Sequence, residues 1–205
     1  MQQHKLADRR AVLRITLVAF CLVLGCHARA AAFELSSLMG LLSRVRSSEA
    51  VFTEERRVQQ LDRILLFKGR LSFTAPDTFV RETLQPRHEK LAVVGNQLTL
   101  SRGTRTQTTL LDSVPEAAVI VEAIRGTLTG NRAALERYFE ATVQGSAEQW
   151  QLDLVPRDAR LRGQVSQVRL VGRQELVREV RISLADGDTS VMRIEPVAAE
   201  PSSRP

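Results

Sequence analysis

Ile64-Leu65-Leu66-Phe67-Lys68-Gly69-Arg70-Leu71-Ser72-Phe73-Thr74 is the stretch that decides the architecture. Leu65, Phe67, Leu71 and Phe73 share one parity with Gly69 between them, and Lys68, Arg70 and Ser72 take the other. Side chains of a strand point alternately to opposite faces, so the run is a strand with one apolar and one wet face. That pattern belongs to an antiparallel sheet covered on one side only. Gly69 marks a bend or bulge that helps the sheet curl.

Outward from this strand, turn signals recur about every ten residues. Ala75-Pro76-Asp77, Gln85-Pro86-Arg87, Gly95-Asn96 and Arg102-Gly103 separate strand-like runs at about 51–60, 64–74, 78–84, 88–94, 97–101 and 104–111. Strand signals return at about 139–144, 149–154, 164–171, 176–184 and 189–194, with Asp186-Gly187 as the last hairpin turn. Evenly spaced short strands predict an antiparallel meander, not βαβ units. Three helical patterns interrupt it. Leu35, Leu38, Met39, Leu41, Leu42 and Val45 predict a helix over 35–46, with Ser36 and Ser37 as caps. Ser113-x-x-Glu116 has the form of a capping box, Pro115 suits a first turn, and Gly126 can end a helix over about 114–125. A short helix follows at about 131–138, capped by Asn131, with Leu135, Tyr138 and Phe139 on one face. The fold class is therefore α+β, mainly β: a curved antiparallel sheet whose inner face is covered by short helices.

The chain of 205 residues is long enough for one domain with a real core. Lys5, Arg9 and Arg10, the apolar run Ala11–Gly25 and the small residues around Ala28-Arg29-Ala30-Ala31-Ala32 give the order of a secretory signal peptide. The expected layout is a leader over 1–32, a domain over 33–197 and a polar, disordered tail over 198–205. Without residues 1–30, the 29 basic and 23 acidic residues become 24 and 22. A nearly balanced domain has little long-range attraction for phosphate backbones, so nucleic acid is not an expected partner. Both cysteines, Cys21 and Cys26, lie in the leader, which leaves no thiol or disulfide chemistry in the mature chain. A rival reading takes Val23-Leu24-Gly25-Cys26 as a lipoprotein signal with Cys26 lipidated.

Reactive groups are scarce. His88 is the one histidine past the leader, no cluster has metal-ligand spacing, and neither a G-x-S-x-G elbow nor a phosphate loop is present. His88 reads as a solvated turn residue, and Glu54-Glu55, followed by Arg56-Arg57, as the solvated face of a strand with charges crossing to a neighbour. A hydrolase drawing two acids from distant strands leaves no local motif, but nothing points to one. The reading is a non-catalytic protein without cofactor or metal. Apolar surface remains. Phe52, Leu65, Phe67, Leu71, Phe73, Phe79, Leu91, Val93, Leu98, Leu100 and Trp150 are candidates for the inner face, with Ile120 and Ile124 on the covering helix. Taken singly, each is an ordinary core residue. Taken together, a curled sheet under helices leaves space for an apolar ligand unless side chains fill it.

The order leader, short helix, Phe52-Thr53-Glu54, then Gly69-Arg70-Leu71-Ser72-Phe73-Thr74-Ala75-Pro76-Asp77-Thr78-Phe79 resembles the LolA-type outer-membrane lipoprotein carriers. Gln85-Pro86, Leu91-Ala92-Val93-Val94-Gly95-Asn96 and Leu98 follow in that family's order, and Val180–Thr189 is similar to its closing strand–turn–strand. The resemblance spans about residues 33–195. It implies an incomplete β-barrel closed by helices whose cavity takes the acyl chains of lipoproteins or related lipids. It also implies a periplasmic monomer of a Gram-negative bacterium, loaded by an inner-membrane transporter and emptied onto an outer-membrane acceptor. Phe79 matches an aromatic residue that lines the family's cavity. Two positions depart from the pattern: Ala75 stands where the studied carriers have an arginine that helps hold the lid shut, and Arg81 where they favour tryptophan. A relative carrying another lipid or hydrophobic metabolite fits the same fold. So do a non-catalytic interaction module of a membrane export system and an outer-membrane acceptor lipidated through Cys26.

Overall fold

A computed structural model describes residues 33–197. The expected leader, Cys26 and the tail from 198 onward lie outside the described residues. Helix α1 (Leu35–Leu42) leads into six strands: β1 (Ser47–Arg57), β2 (Ile64–Thr74), β3 (Thr78–Gln85), β4 (Glu89–Val94), β5 (Gln97–Arg102) and β6 (Arg105–Leu110). A 3-10 turn (Leu111–Ser113), α2 (Pro115–Leu128) and α3 (Arg132–Tyr138) follow. The chain then forms β7 (Phe139–Gly145), β8 (Trp150–Pro156), the one-turn helix α4 (Ala159–Arg162), β9 (Val165–Arg173), β10 (Leu176–Leu184) and β11 (Thr189–Pro196).

The strands form one antiparallel sheet of 11, in the order β6-β5-β4-β3-β2-β1-β11-β10-β9-β8-β7. Two meanders, β1–β6 and β7–β11, are joined where β1 pairs with β11, with Phe52 opposite Ile194 and Glu54 opposite Met192. β6 and β7 are left as edges, so the barrel is incomplete. Gly69 sits at a bulge: the β2–β3 register slips between Lys68 and Gly69. A Cβ there would run into the Glu82 carbonyl oxygen and lie 2.8 Å from Phe52 Cε1, so only glycine lets the strands close up.

The helices depart from their sequence reading at their ends. α1 starts after Glu34, with Ser36 and Ser37 inside it, and stops at Leu42 rather than 46. The capping box does not form: Val114 is the N-cap of α2, and Ser113 Oγ donates to the Leu110 carbonyl instead, closing the 3-10 turn. Pro115 opens the helix as expected. Gly126 does not end it; its bare Cα lets Leu135 of α3 pack closely, and Gly130, at φ +63°, makes the turn. Asn131 caps α3 by accepting from the Ala134 N–H. Phe139 begins β7 and does not extend the α3 face. α4, capped by Asp158, has no apolar periodicity long enough to announce it.

Two apolar clusters lie on the inner face. The larger joins Leu38, Met39 and Leu42 of α1 and Leu135 of α3 to Trp150, Leu152, Leu154, Val168, Leu170 and Val180 of β8–β10. The smaller gathers Val93, Leu98 and Leu111, with Phe79, Leu91 and Val114 around them. α2 enters both, giving Val119 and Ala123 to the first and Ala117, Ala118 and Val121 to the second. It therefore bridges the two halves of the sheet.

Candidate functional site

Register carries one line of side chains across the sheet. Leu152 faces Leu170, which faces Val180, then Met192, Glu54 and Phe67 on successive strands. Farther along β2, Leu71 faces Arg81, which faces Leu91, and Phe73 faces Phe79, which faces Val93. The strands between the two clusters thus turn apolar side chains toward α2 without touching it everywhere. The space left is a cavity of about 640 Å³, within the range of small-molecule sites. The interior is not filled by side chains.

Leu65, Leu71, Phe73, Phe79, Leu91, Val93, Leu98, Ile120 and Ile124 line this cavity, as the inner-face reading places them. The Phe73 and Phe79 rings lie 5.1 Å apart, tilted by 33°. Ala50, Val180, Ile182, Met192 and Ile194 complete the apolar wall from β1, β10 and β11, and Ala117, Val121 and Leu128 of α2 lie over it. Four expected residues are not in the wall. Trp150 is 1% exposed in the larger cluster, where its indole N–H donates to the Gln174 carbonyl at 2.7 Å. Leu100 lies two residues along β5 from Leu98, between Leu91 of β4 and Gln107 of β6, and does not reach the cavity. Phe52 and Phe67 do face inward, but Arg81 lies over both rings (4.9 and 5.8 Å to the centroids) and Arg56 over Phe67 (5.2 Å).

Those arginines belong to a polar cluster that the sequence reading missed. Glu54 is only 2% exposed, not on a solvated face. One carboxylate oxygen, Oε2, accepts from Arg81 Nη2 at 2.5 Å. The other, Oε1, accepts from Arg56 Nη2 at 3.1 Å and Ser190 Oγ at 2.6 Å. A carboxylate can be buried this way because both of its oxygens accept hydrogen bonds and two guanidiniums, the half-buried Arg81 and the more exposed Arg56, offset its charge. Burial pushes the Arg81 guanidinium below its usual range, with Glu54 opposing the shift. Strand parity contained the signal: Glu54 alternates in step with Phe52, and Arg81 with Phe79. Glu55, by contrast, does cross to a neighbour, accepting from Arg193 Nη1 at 3.0 Å.

His88 is exposed in its turn, with Nε2 2.9 Å from Glu82 Oε1. That hydrogen bond holds the Glu82 carboxyl below its ordinary range. Neither group reaches the cavity wall. Among the described residues, no three His, Cys, Asp or Glu side chains converge as a metal site, and no helix is long and apolar enough to cross a membrane. What the geometry offers chemically is removal of apolar surface from water, with the Glu54–Arg56–Arg81 cluster set into the wall.

No curated protein matches the sequence. Among solved structures, the chain is similar to a LolA superfamily protein from Nitrosomonas europaea, at 11% identity over 84% of this chain and 96% of that one, with a TM-score of 0.43. It is similar to MucB of Pseudomonas aeruginosa, solved with MucA, at 14% identity over 82% and 59%, with a TM-score of 0.45. It is also similar to the lipoprotein LppX of Mycobacterium tuberculosis, at 8% identity over 81% and 96%, with a TM-score of 0.42. The model of the family described as outer membrane lipoprotein carrier protein LolA-like matches residues 27–200. With most of its length matched and the expected half-barrel in place, the chain belongs to the LolA-like outer membrane lipoprotein carrier family.

Proposed function

We propose that this protein is a non-catalytic periplasmic carrier. It takes acyl chains of lipoproteins or related lipids into its cavity and ferries them toward the outer membrane, receiving them from an inner-membrane transporter and yielding them to an outer-membrane acceptor. The observation that carries this reading is the apolar cavity of about 640 Å³ between two separately packed cores, roofed by a helix that touches both. Moving a methylene from water into such a space gains roughly 0.8 kcal/mol, so burial alone supplies affinity and no reactive group is needed. Release follows when α2 moves away from the sheet.

Native mass spectrometry of protein purified from the periplasm, followed by lipid extraction, tests the reading. A co-purifying acyl compound is expected. A bare protein mass, together with no uptake of a fluorescent fatty acid, overturns the carrier role and leaves a protein-interaction module. The same spectrum reads the N-terminus: a chain starting near Ala31 or Phe33 supports an exported carrier, and a lipidated Cys26 at the N-terminus points to a membrane-bound acceptor. Phe73, 4% exposed and in the cavity wall, gives the matching variant: Phe73→Glu places a charge among apolar groups and is expected to abolish probe uptake.

A further inference from the structure

The cavity wall is apolar along most of β2–β5 and α2, but toward the end of β1 it carries charge. Two guanidiniums, Arg56 and Arg81, face one carboxylate there, leaving one positive charge uncompensated within the cluster. Glu54 accepts three hydrogen bonds, but its single negative charge balances only one of the two guanidiniums. The arginines do have more to give: each reaches Glu54 through Nη2 only, and the buried Arg81 Nε has no partner. The Phe52 and Phe67 rings hold the guanidiniums in place from below. We propose that Arg56 and Arg81 seat the anionic head group of the cargo, a carboxylate or phosphate ester, while its hydrocarbon tail runs under α2 along Leu71, Phe73 and Phe79. This inference rests on the carrier reading and names its cargo class as a negatively charged amphiphile.

The remaining charges of the wall are acidic. Glu49, Glu116 and Glu175 line it elsewhere. Asp186 and Asp188 line it beyond Ser190, where their carboxylates accept from the backbone N–H groups of Asp188 and Gln59. These carboxylates repel an anion from the other approaches and leave the two arginines as its one attractive seat in the wall. If the cluster only cross-linked β1, β3 and β11, head-group charge would be irrelevant to binding.

Displacement of a fluorescent acyl probe at neutral pH by myristate and by its uncharged methyl ester separates these cases. Myristate is expected to bind about ten- to a hundredfold more tightly, the span of a charge-assisted hydrogen bond in a desolvated site. Arg81→Leu is expected to erase that preference by weakening myristate relative to the ester, whereas Arg81→Lys keeps part of it. Thermal melts report whether the variants fold; Arg56→Leu, at a side chain 41% exposed, repeats the comparison if Arg81→Leu does not. Equal affinity of acid and ester for the unaltered protein, or a preference that survives both leucine variants, overturns the head-group seat while the carrier reading stands. Acetate or inorganic phosphate binding as tightly as myristate overturns it in favour of a free-anion site. Failure of acid and ester alike removes both readings together.

Discussion

Trp150 and Gly172 interlock across the β8–β9 pair, and the fit is close enough to fix both residue types. The indole covers the glycine, whose added Cβ would strike Trp150 Cζ2 and lie 2.6 Å from Cε2. Gly172→Ala is therefore expected to lower the urea midpoint, by about 1–3 kcal/mol of unfolding free energy, because the largest fully buried side chain must shift. Burial of Trp150 was legible from its alternation with Gln151; its compartment was not. Parity assigns a side chain to a face, but which cluster it joins depends on the helices that cover that face, and the cluster of Trp150 takes Leu38, Met39 and Leu42 from α1 at the far end of the domain. The Glu54 cluster went unread for a different reason. Charge argued for solvent and parity for the interior, and parity prevailed because Arg56, Arg81 and Ser190 arrive from three strands to satisfy the carboxylate.

At the scale of elements, α2 is the piece whose attachment matters most. Arg125 ties it to the sheet by donating from Nη2 to the Gly95 carbonyl in the β4–β5 turn at 2.6 Å, while Nη1 holds Glu122. This contact pins the roof to the smaller core, with no part played by the Ala75 position where the family's arginine stands. Arg125→Ala is expected to speed dissociation of a bound acyl probe several-fold in stopped-flow measurements, with little change in the far-ultraviolet spectrum. The turn after α2 gives a second test. Asn131→Ala removes the cap of α3 and is expected to cost about 1 kcal/mol in chemical denaturation. Element order was readable except for the one-turn α4, since alternation and turn residues are local. Helix ends were less so: a Ser-x-x-Glu pattern competes with a 3-10 turn at Ser113, and a glycine can serve packing, as Gly126 does, as readily as termination.

For the whole molecule, acid response follows from which carboxylates have partners. The His88–Glu82 contact lowers the folded-state pKa of Glu82. A lowered carboxyl pKa contributes stability that is present above the unfolded value of about 4.3 and lost as pH falls through the folded value. The pair is exposed, so its share is small. The melting temperature of the His88→Ala variant should fall slightly less steeply than that of the unaltered protein just below that pH. Agreement of the two curves throughout would show that the contact contributes nothing measurable.

The seam between β1 and β11 has a consequence in time as well as in space. Glu54 meets Ser190 across 136 positions of chain, and the cavity floor consists of strands from both ends of the domain. Contacts of such long range form slowly, because the loop they close must lose its freedom before any of them contributes. Each meander has local hairpins to fold around, but neither alone encloses a cavity. A chain lacking β11 is thus expected to hold two unjoined half-sheets with their apolar faces bare. The cavity needs this seam, so on the carrier reading a chain in which β1 and β11 have not yet paired is expected to take up no cargo.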